Sequence, residues 1–212
     1  MHSNQLERYK LTLRLDDLQR EVLVGSILGD GCLALTPNER AARLMIEQSY
    51  FHKEYVDWLY EIFRSWVNKK PRQVARAGWG RHYQKYLFQT LSHPELLKVR
   101  QMFYQGKKKI VPQNIGDLLT PRAFAVWFMD DGSSKSRECN GRLVCTHGFT
   151  NIEVDLLVRV LTQKFSLLCR PRVQRDGTEI YINAQSARKL YFLLNPYFCD
   201  SMKYKLPRVA VD

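Results

Sequence analysis

The sequence predicts an α+β fold built from two similar halves, each running helix, strand, strand, helix, strand, strand, helix. Three observations carry this. First, two apolar helical segments, 23-LVGSILGDG-31 and 124-FAVWFMDDG-132, both stop at an Asp-Gly pair, and Asp30 and Asp131 stand 101 positions apart in a chain of 212. Second, a helical pattern follows each of them, at 51–67 and 149–165. Phe51, Val56, Asp57 and Leu59 in one match Phe149, Val154, Asp155 and Leu157 in the other at a constant offset of 98. Third, each half then offers a hairpin, a closing helix and a basic stretch ending in proline, 106-GKKKIVP-112 and 203-KYKLP-207. A long fixed period of this kind decides the fold before local structure does. The halves divide at 112/113, as 1–112 and 113–212. The join from Gln113 to Thr120 is short and carries no Gly/Ser-rich linker, so the halves are expected to pack as one unit.

In chain order, Asp16 or Asp17 can cap the first motif helix. Short β-like runs follow at 32–36 and 43–48, and then the helix at 51–67. A weaker hairpin occupies 71–90, with its turn near Gly78 to Gly80, and a helix at 93–105 closes the half. Thr120-Pro121 opens the second motif helix, Thr as N-cap and Pro in the first turn. Gly31 and Gly132 suit the left-handed position that ends a helix. After a strand at 142–147 and the helix at 149–165 comes the clearer hairpin, 169-CRPRVQRDGTEIYIN-183. Asp176-Gly177 reads as its two-residue turn, which sets Arg175 opposite Thr178, Gln174 opposite Glu179 and Arg172 opposite Tyr181. Alternation then puts Arg170, Arg172, Gln174, Glu179, Tyr181 and Asn183 on one polar face, and Val173, Ile180 and Ile182 on an apolar face that packs on helices. A helix at 186–198 closes the chain's second half.

Composition narrows the function. Lys and Arg number 33 against 21 Asp and Glu, a net charge of +12, which favours a polyanionic partner. No apolar run is long enough to span a bilayer and no Lys-rich amphipathic helix stands out, so a membrane partner is disfavoured. The N-terminal stretch lacks a secretory core, and Glu7, Asp16 and Asp17 argue against an organelle presequence. Five cysteines without a C-x-x-C pair disfavour a disulfide framework or a zinc site and suit a reducing, intracellular compartment. The five histidines are scattered, with no H-E-x-x-H. Any metal must be sought among carboxylates.

Asp30 and Asp131 fall at the wrong helix end. The carboxyl terminus of a helix is already partly negative, and an acid there costs about 0.3–1 kcal/mol. If the repeat relates the halves by a pseudo-two-fold axis, two such ends meet, and a hard divalent cation with oxygen ligands would offset the charge. The carbonyls of Gly29 and Asp130 could help. A single G-D-G is commonly a mere turn; two at matching places in a duplicated, basic chain are harder to dismiss.

These residues resemble the signature helices of the LAGLIDADG homing endonucleases, in the single-chain, double-motif form. The run 119-LTPRAFAVWFMDDG-132 with 178-TEIYINAQSARKLYFLLNPYFCDSMKYKLP-207 is similar to the intron-encoded branch, and the resemblance covers about residues 15–208. It implies a saddle of two antiparallel sheets on the DNA major groove, with the motif helices packed at the centre. It implies that the protein acts as a monomer on double-stranded DNA, cutting both strands across the minor groove with Mg²⁺, for which Mn²⁺ substitutes. The metal-binding acids then fall on Asp30 and Asp131, with Gly29 and Asp130 as flanking oxygens. The active-site lysines fall on Lys109, with Lys108 a close rival, and on Lys205. A polar residue ending the second strand fits Gln48, and Thr146 or His147 fits less well. The DNA-facing set implied is Arg72, Arg76, Lys85, Arg142, Arg170, Arg172, Gln174, Tyr181, Asn183 and Lys203. An RNA maturase acting on intron RNA, or a non-cleaving regulator, would keep the same scaffold. Bacterial cytoplasm, mitochondrion and chloroplast are equally consistent hosts. One departure stands out. The small residues expected on both helices are present in the first, at Gly25 and Gly29, but the second carries Val126 and Asp130 beside bulky Trp127 and Phe128. This predicts an asymmetric contact in which glycine hollows receive side chains.

Overall fold

A computed structural model describes residues 3–78, 81–136 and 138–209. It contains α1 (Ser3–Thr12), α2 (Asp17–Leu28), β1 (Cys32–Leu35), β2 (Ala42–Ser49), α3 (Lys53–Ile62), β3 (Arg72–Gly78), β4 (Arg81–Gln89) and α4 (Pro94–Phe103). A two-strand ribbon follows, β5 (Tyr104–Gln105) and β6 (Lys108–Lys109), then α5 (Ile115–Leu118). The second set is α6 (Pro121–Asp131), β7 (Gly132–Ser134), β8 (Arg142–Cys145), α7 (Asn151–Phe165), β9 (Cys169–Gln174), β10 (Gly177–Ile182) and α8 (Ala187–Leu194). The sequence α2–β1–β2–α3–β3–β4–α4 recurs as α6–β7–β8–α7–β9–β10–α8. Both four-stranded sheets are antiparallel with equivalent orders, β1-β2-β4-β3 and β7-β8-β10-β9. The α+β class and the duplication therefore hold. Helix α1 was not expected. Trp79 and Gly80, where the weaker hairpin's turn was placed, lie outside the described residues.

The chain forms two compact units, Met1–Arg20 with Asp30–Met102, and Glu21–Gly29 with Phe103–Asp212. Their borders differ from 112/113 in two places: the 21–29 segment and the 103–112 segment both group with the second set of elements.

In unit 1 the inner sheet face carries Leu44, Ile46 and Phe88, buried with Tyr55, Val56 and Leu59 of α3. Gln19 ties the start of α2 into this unit. Its Nε2 donates to the Ile62 carbonyl (2.9 Å) and its Oε1 accepts from buried Trp66 (3.1 Å). Asp16 rather than Asp17 caps α2, accepting from the Gln19 amide at 2.7 Å.

In unit 2, Val144, Ile180 and Ile182 are buried with Val154, Leu157 and Leu161 of α7. Helix α6 is buried at every position from Ala123 to Met129, as a helix apolar all round must be. Phe124 stacks on Phe165, with centroids 5.7 Å apart. Thr120 is its N-cap, accepting from the Ala123 amide at 3.1 Å, with Pro121 following as expected. Thr120→Ala removes that acceptor and is expected to lower stability by about 1 kcal/mol, read as an earlier urea midpoint.

Three local expectations are corrected. Gly132 is extended (φ −72, ψ 142), and among described glycines only Gly106 and Gly177 have positive φ, so neither Gly31 nor Gly132 is a left-handed cap. Position 132 needs glycine for space, because a β-carbon there would lie 2.6 Å from Phe128 Cδ1. The β9–β10 hairpin pairs Gln174 with Gly177, Glu179 with Arg172 and Tyr181 with Arg170, so the turn is Arg175-Asp176. A register shift of two residues leaves every side chain on its expected face. Gly177, at φ 144, begins the strand where a β-carbon would strike His147 Cα at 2.9 Å. Val173 is not packed on helices; it is 78% exposed near the hairpin tip.

Candidate active site

Residues 21–28 of α2, Gly29 just beyond its end, and all of α6 lie in unit 2, and there the two segments meet at the glycines of the first. A β-carbon on Gly25 would overlap the Ala123 carbonyl oxygen and lie 2.7 Å from Val126 Cβ. One on Gly29 would lie 2.5 Å from Asp130 Cβ. The hollows are on α2 and the side chains filling them are on α6, which is the asymmetry anticipated from the sequence.

The carboxyl ends of both helices receive an ammonium group. Lys109 Nζ donates to the Gly29 carbonyl at the end of α2. Lys205 Nζ donates to the Met129 carbonyl and to that of Asp130 (2.8 Å) at the end of α6. Lys108, the rival, is exposed on the ribbon opposite Gln105. A cation on the last carbonyls opposes the helix dipole where it is most negative. The lysines thus meet part of the positive-charge requirement that the acids raised.

Asp131 is the last residue of α6 and accepts from Trp127 Nε1, one turn earlier, at 3.2 Å. It opens on a cleft of about 180 Å³, also lined by Gly29, Lys109, Cys145 and His147. Asp30 is exposed and belongs to unit 1, where Gln48 Nε2 donates to its Oδ2 at 2.9 Å. In unit 2, buried Thr146 donates its hydroxyl to the Thr178 carbonyl, and His147 lies 3.6 Å from Glu179. Trp127, noted in the sequence only as bulky, is the residue that holds the second acid. Its i, i+4 spacing to Asp131 was the available signal.

Among the described residues no three His, Cys, Asp or Glu side chains cluster as a metal cage. What the chain offers is one carboxylate per helix tip and carbonyl oxygens with a second lone pair. Mg²⁺ sites in proteins are usually of this kind, one or two carboxylates with substrate phosphates rather than an all-protein cage. The all-oxygen donor set fits a hard cation.

The sheets' outer faces carry most of the remaining residues. In unit 1, ladder register puts Arg72, Arg76 and Lys85 on one face, with Arg76 held by Glu47 at 2.9 Å and Lys85 over the Tyr83 ring. In unit 2, Arg170, Arg172, Gln174 and Tyr181 share a face. Arg172 donates to the Gln174 carboxamide oxygen (2.6 Å from Nε) and lies 3.6 Å from Glu179, and Arg170 stacks over Tyr181. Lys203 is exposed and paired with Asp200 at 2.6 Å.

Two residues of the expected DNA-facing set do not lie on an outer sheet face. Asn183 lies past the end of β10, and its Oδ1 caps the short helix at Ala184–Ser186. Arg142 pairs with Ile182 on the inner face of its sheet and is 4% exposed, its guanidinium committed to backbone carbonyls. Alternation from the buried Val144 would have placed it there.

Known proteins resemble this chain over nearly its whole length. It is 30% identical over 198 residues to "Probable intron-encoded endonuclease 1" of Wickerhamomyces canadensis, covering 91% of this chain and 85% of that one. It is 27% identical over 200 residues to "Cytochrome b mRNA maturase bI2" of Debaryomyces hansenii, covering 91% and 74%. Its fold superposes on the structure of the homing endonuclease I-WcaI bound to its DNA recognition sequence with a TM-score of 0.93 and 29% identity, covering 98% and 95%. The model of the LAGLIDADG DNA endonuclease family matches residues 20–190. The acid-tipped helix pair, the duplicated sheets and that match together make this chain a member of the LAGLIDADG DNA endonuclease family.

Proposed function

We propose that the protein is a site-specific homing endonuclease that makes a double-strand break in a long DNA target by divalent-metal-dependent hydrolysis of one phosphodiester in each strand. The observation that carries this is the repeated arrangement of an acid at a helix end with a lysine ammonium on that helix's last carbonyls, at Asp30 with Lys109 and at Asp131 with Lys205. A lysine on the last carbonyls is by itself an ordinary helix cap; the carboxylate that follows the carbonyls in both halves is what a cap does not need.

Asp30, with the Gly29 carbonyl, and Asp131, with the Asp130 carbonyl, would each supply oxygens to Mg²⁺, for which Mn²⁺ would substitute. When bound, the cation supplies Lewis-acid stabilisation of charge building on the phosphoryl group. Gln48 and Trp127 fix the two carboxylates in orientation. The lysines place positive charge beside the phosphate and stabilise the oxyanion as it develops. Arg170, Arg172, Gln174 and Tyr181 on one sheet, and Arg72, Arg76 and Lys85 on the other, face the major groove. There arginine pairs with guanine edges and lysine grips phosphate.

A maturase role in intron splicing is the second reading, favoured by the maturase relative. Selecting cleaved molecules from a random double-stranded DNA pool in Mg²⁺ separates the two. The expected result is a shared long site cut on both strands, activity lost in EDTA and restored by Mn²⁺, and affinity falling steeply with salt as phosphate contacts release counterions. Binding without any cutting in Mg²⁺ or Mn²⁺ would overturn the endonuclease reading.

A further inference from the structure

Both active-site lysines sit on segments with little regular structure of their own. Lys109 ends the short β6, and Lys205 ends the 3₁₀ stretch Asp200–Lys205. Each segment is nevertheless tied down, and in each case by a charged side chain outside the site. Arg142 donates from Nε to the Lys205 carbonyl (3.0 Å) and from Nη2 to the Leu206 carbonyl (2.7 Å). Its Nη1 donates to the Asn140 and Gly141 carbonyls (3.2 and 3.1 Å). The adjoining Asn140 side chain brackets Arg208, donating to its carbonyl at 2.6 Å and accepting from its amide at 3.0 Å. Burial lowers the pKa of Arg142, yet a guanidinium stays charged in proteins, so those four carbonyls keep a cationic partner.

Glu153 mirrors this with the opposite sign. One carboxylate oxygen, Oε1, accepts from the Val111 amide at 2.9 Å, two residues beyond Lys109. The other, Oε2, accepts from the amide and hydroxyl of Thr150, both at 2.7 Å, closing the capping box of α7. Burial acts to raise its pKa, but the hydrogen bonds from Thr150 and Val111 and the nearby Lys108 charge outweigh burial and leave it lowered.

We propose that Arg142 and Glu153 are positioning residues, Arg142 setting Lys205 and Glu153 setting Lys109, so that each governs the cleavage of one DNA strand. The assignment to strands rests on the endonuclease reading above; the setting of the lysines does not. Misplacing a charge-stabilising group by about 1 Å costs about a hundred-fold in rate, and removing an outer partner of a site costs about ten- to a hundred-fold.

The test compares Arg142→Lys and Arg142→Met with Glu153→Gln in the full-length protein. Glutamine must turn an NH₂ toward one of the two donor sets that Glu153 now accepts from, so it loosens one tie while keeping the shape. First-nick rates on each strand of an end-labelled target are measured beside amine acylation of Lys109 and Lys205, read by peptide mass spectrometry. The Arg142 variants are expected to slow one strand by about ten- to a hundred-fold and raise Lys205 acylation alone. Glu153→Gln is expected to slow the other strand and raise Lys109 acylation alone. A purely structural role would slow both strands in parallel and expose both lysines together; that result, or unchanged acylation, overturns the proposal. If wild-type protein cuts no DNA, the endonuclease reading fails, and the acylation pattern alone decides the positioning claim. Arg142→Lys keeps the charge, so a folding failure of Arg142→Met does not leave the question open.

Discussion

Asp131→Asn is expected to leave the DNA target nicked on one strand, with hydrolysis of the other slowed by about a thousand-fold or more, since Lewis-acid stabilisation is worth several kcal/mol and each 1.36 kcal/mol is tenfold. Asp30→Asn should do the same to the opposite strand, and the double variant should cut neither. The substitution is nearly isosteric. Asparagine keeps one carbonyl oxygen, which can still accept from Trp127 in the second site and from Gln48 in the first. The fold therefore loses little, and what disappears is the charge that the proposed function assigns to holding a cation. Affinity for the uncut site should stay level or rise, because a negative charge facing phosphate has gone. Gel separation of supercoiled, nicked and linear plasmid reads all three outcomes. Wild-type linearisation by either single variant would exclude one acid per strand.

The largest stability effect is expected at Gly25. Alanine is a better helix former than glycine by about 1 kcal/mol, so a propensity argument predicts that Gly25→Ala stabilises α2. The packing predicts the reverse. A β-carbon there overlaps a backbone oxygen of α6, Ala123 O, and lies 2.7 Å from Val126 Cβ, neither of which is the far end of a flexible side chain. The helices must part along a buried seam, and overpacking of this kind costs about 1–3 kcal/mol, at the upper end when backbone must move. Gly25→Ala should therefore lower stability by about 2–3 kcal/mol, and Gly25→Val by more. Gly116→Ala is the control: its β-carbon would meet only Val160 Cγ2, at 3.7 Å, so stability should hold or rise slightly. Urea unfolding monitored by tryptophan fluorescence compares the three.

Much of this arrangement was legible in the residues because the chain states it twice. Period and offset revealed the duplicated order of elements, and the Asp-Gly stops revealed the helix tips. Alternation along 169–183 named the polar face correctly even though the turn was placed one residue late, because that moves every cross-strand partner by two and a slip of two does not change parity. What escaped notice depended on backbone groups that no side-chain pattern records. The lysines were matched to a family position, but their attachment to the Gly29, Met129 and Asp130 carbonyls is a tertiary fact. Arg142 was read by its charge, although its parity with Val144 put it on the core face; the carbonyls of a returning segment make that burial affordable. Glu153 was not singled out from the sequence, and its bond to the Val111 amide depends on a contact 42 residues away in sequence. Charge and periodicity find surfaces; they do not find the partners of loop backbone.

Helix α2 is shared between two compact bodies: residues 17–20 count with one and 21–28 with the other. Recombinants that exchange gene halves between relatives at residue 112 would graft a foreign 21–29 stretch onto a resident α6 whose Val126 and Asp130 were shaped to different hollows. The transferable cassette is discontinuous, 21–29 travelling with 103–212, and sequence swaps that respect it keep the glycine seam matched.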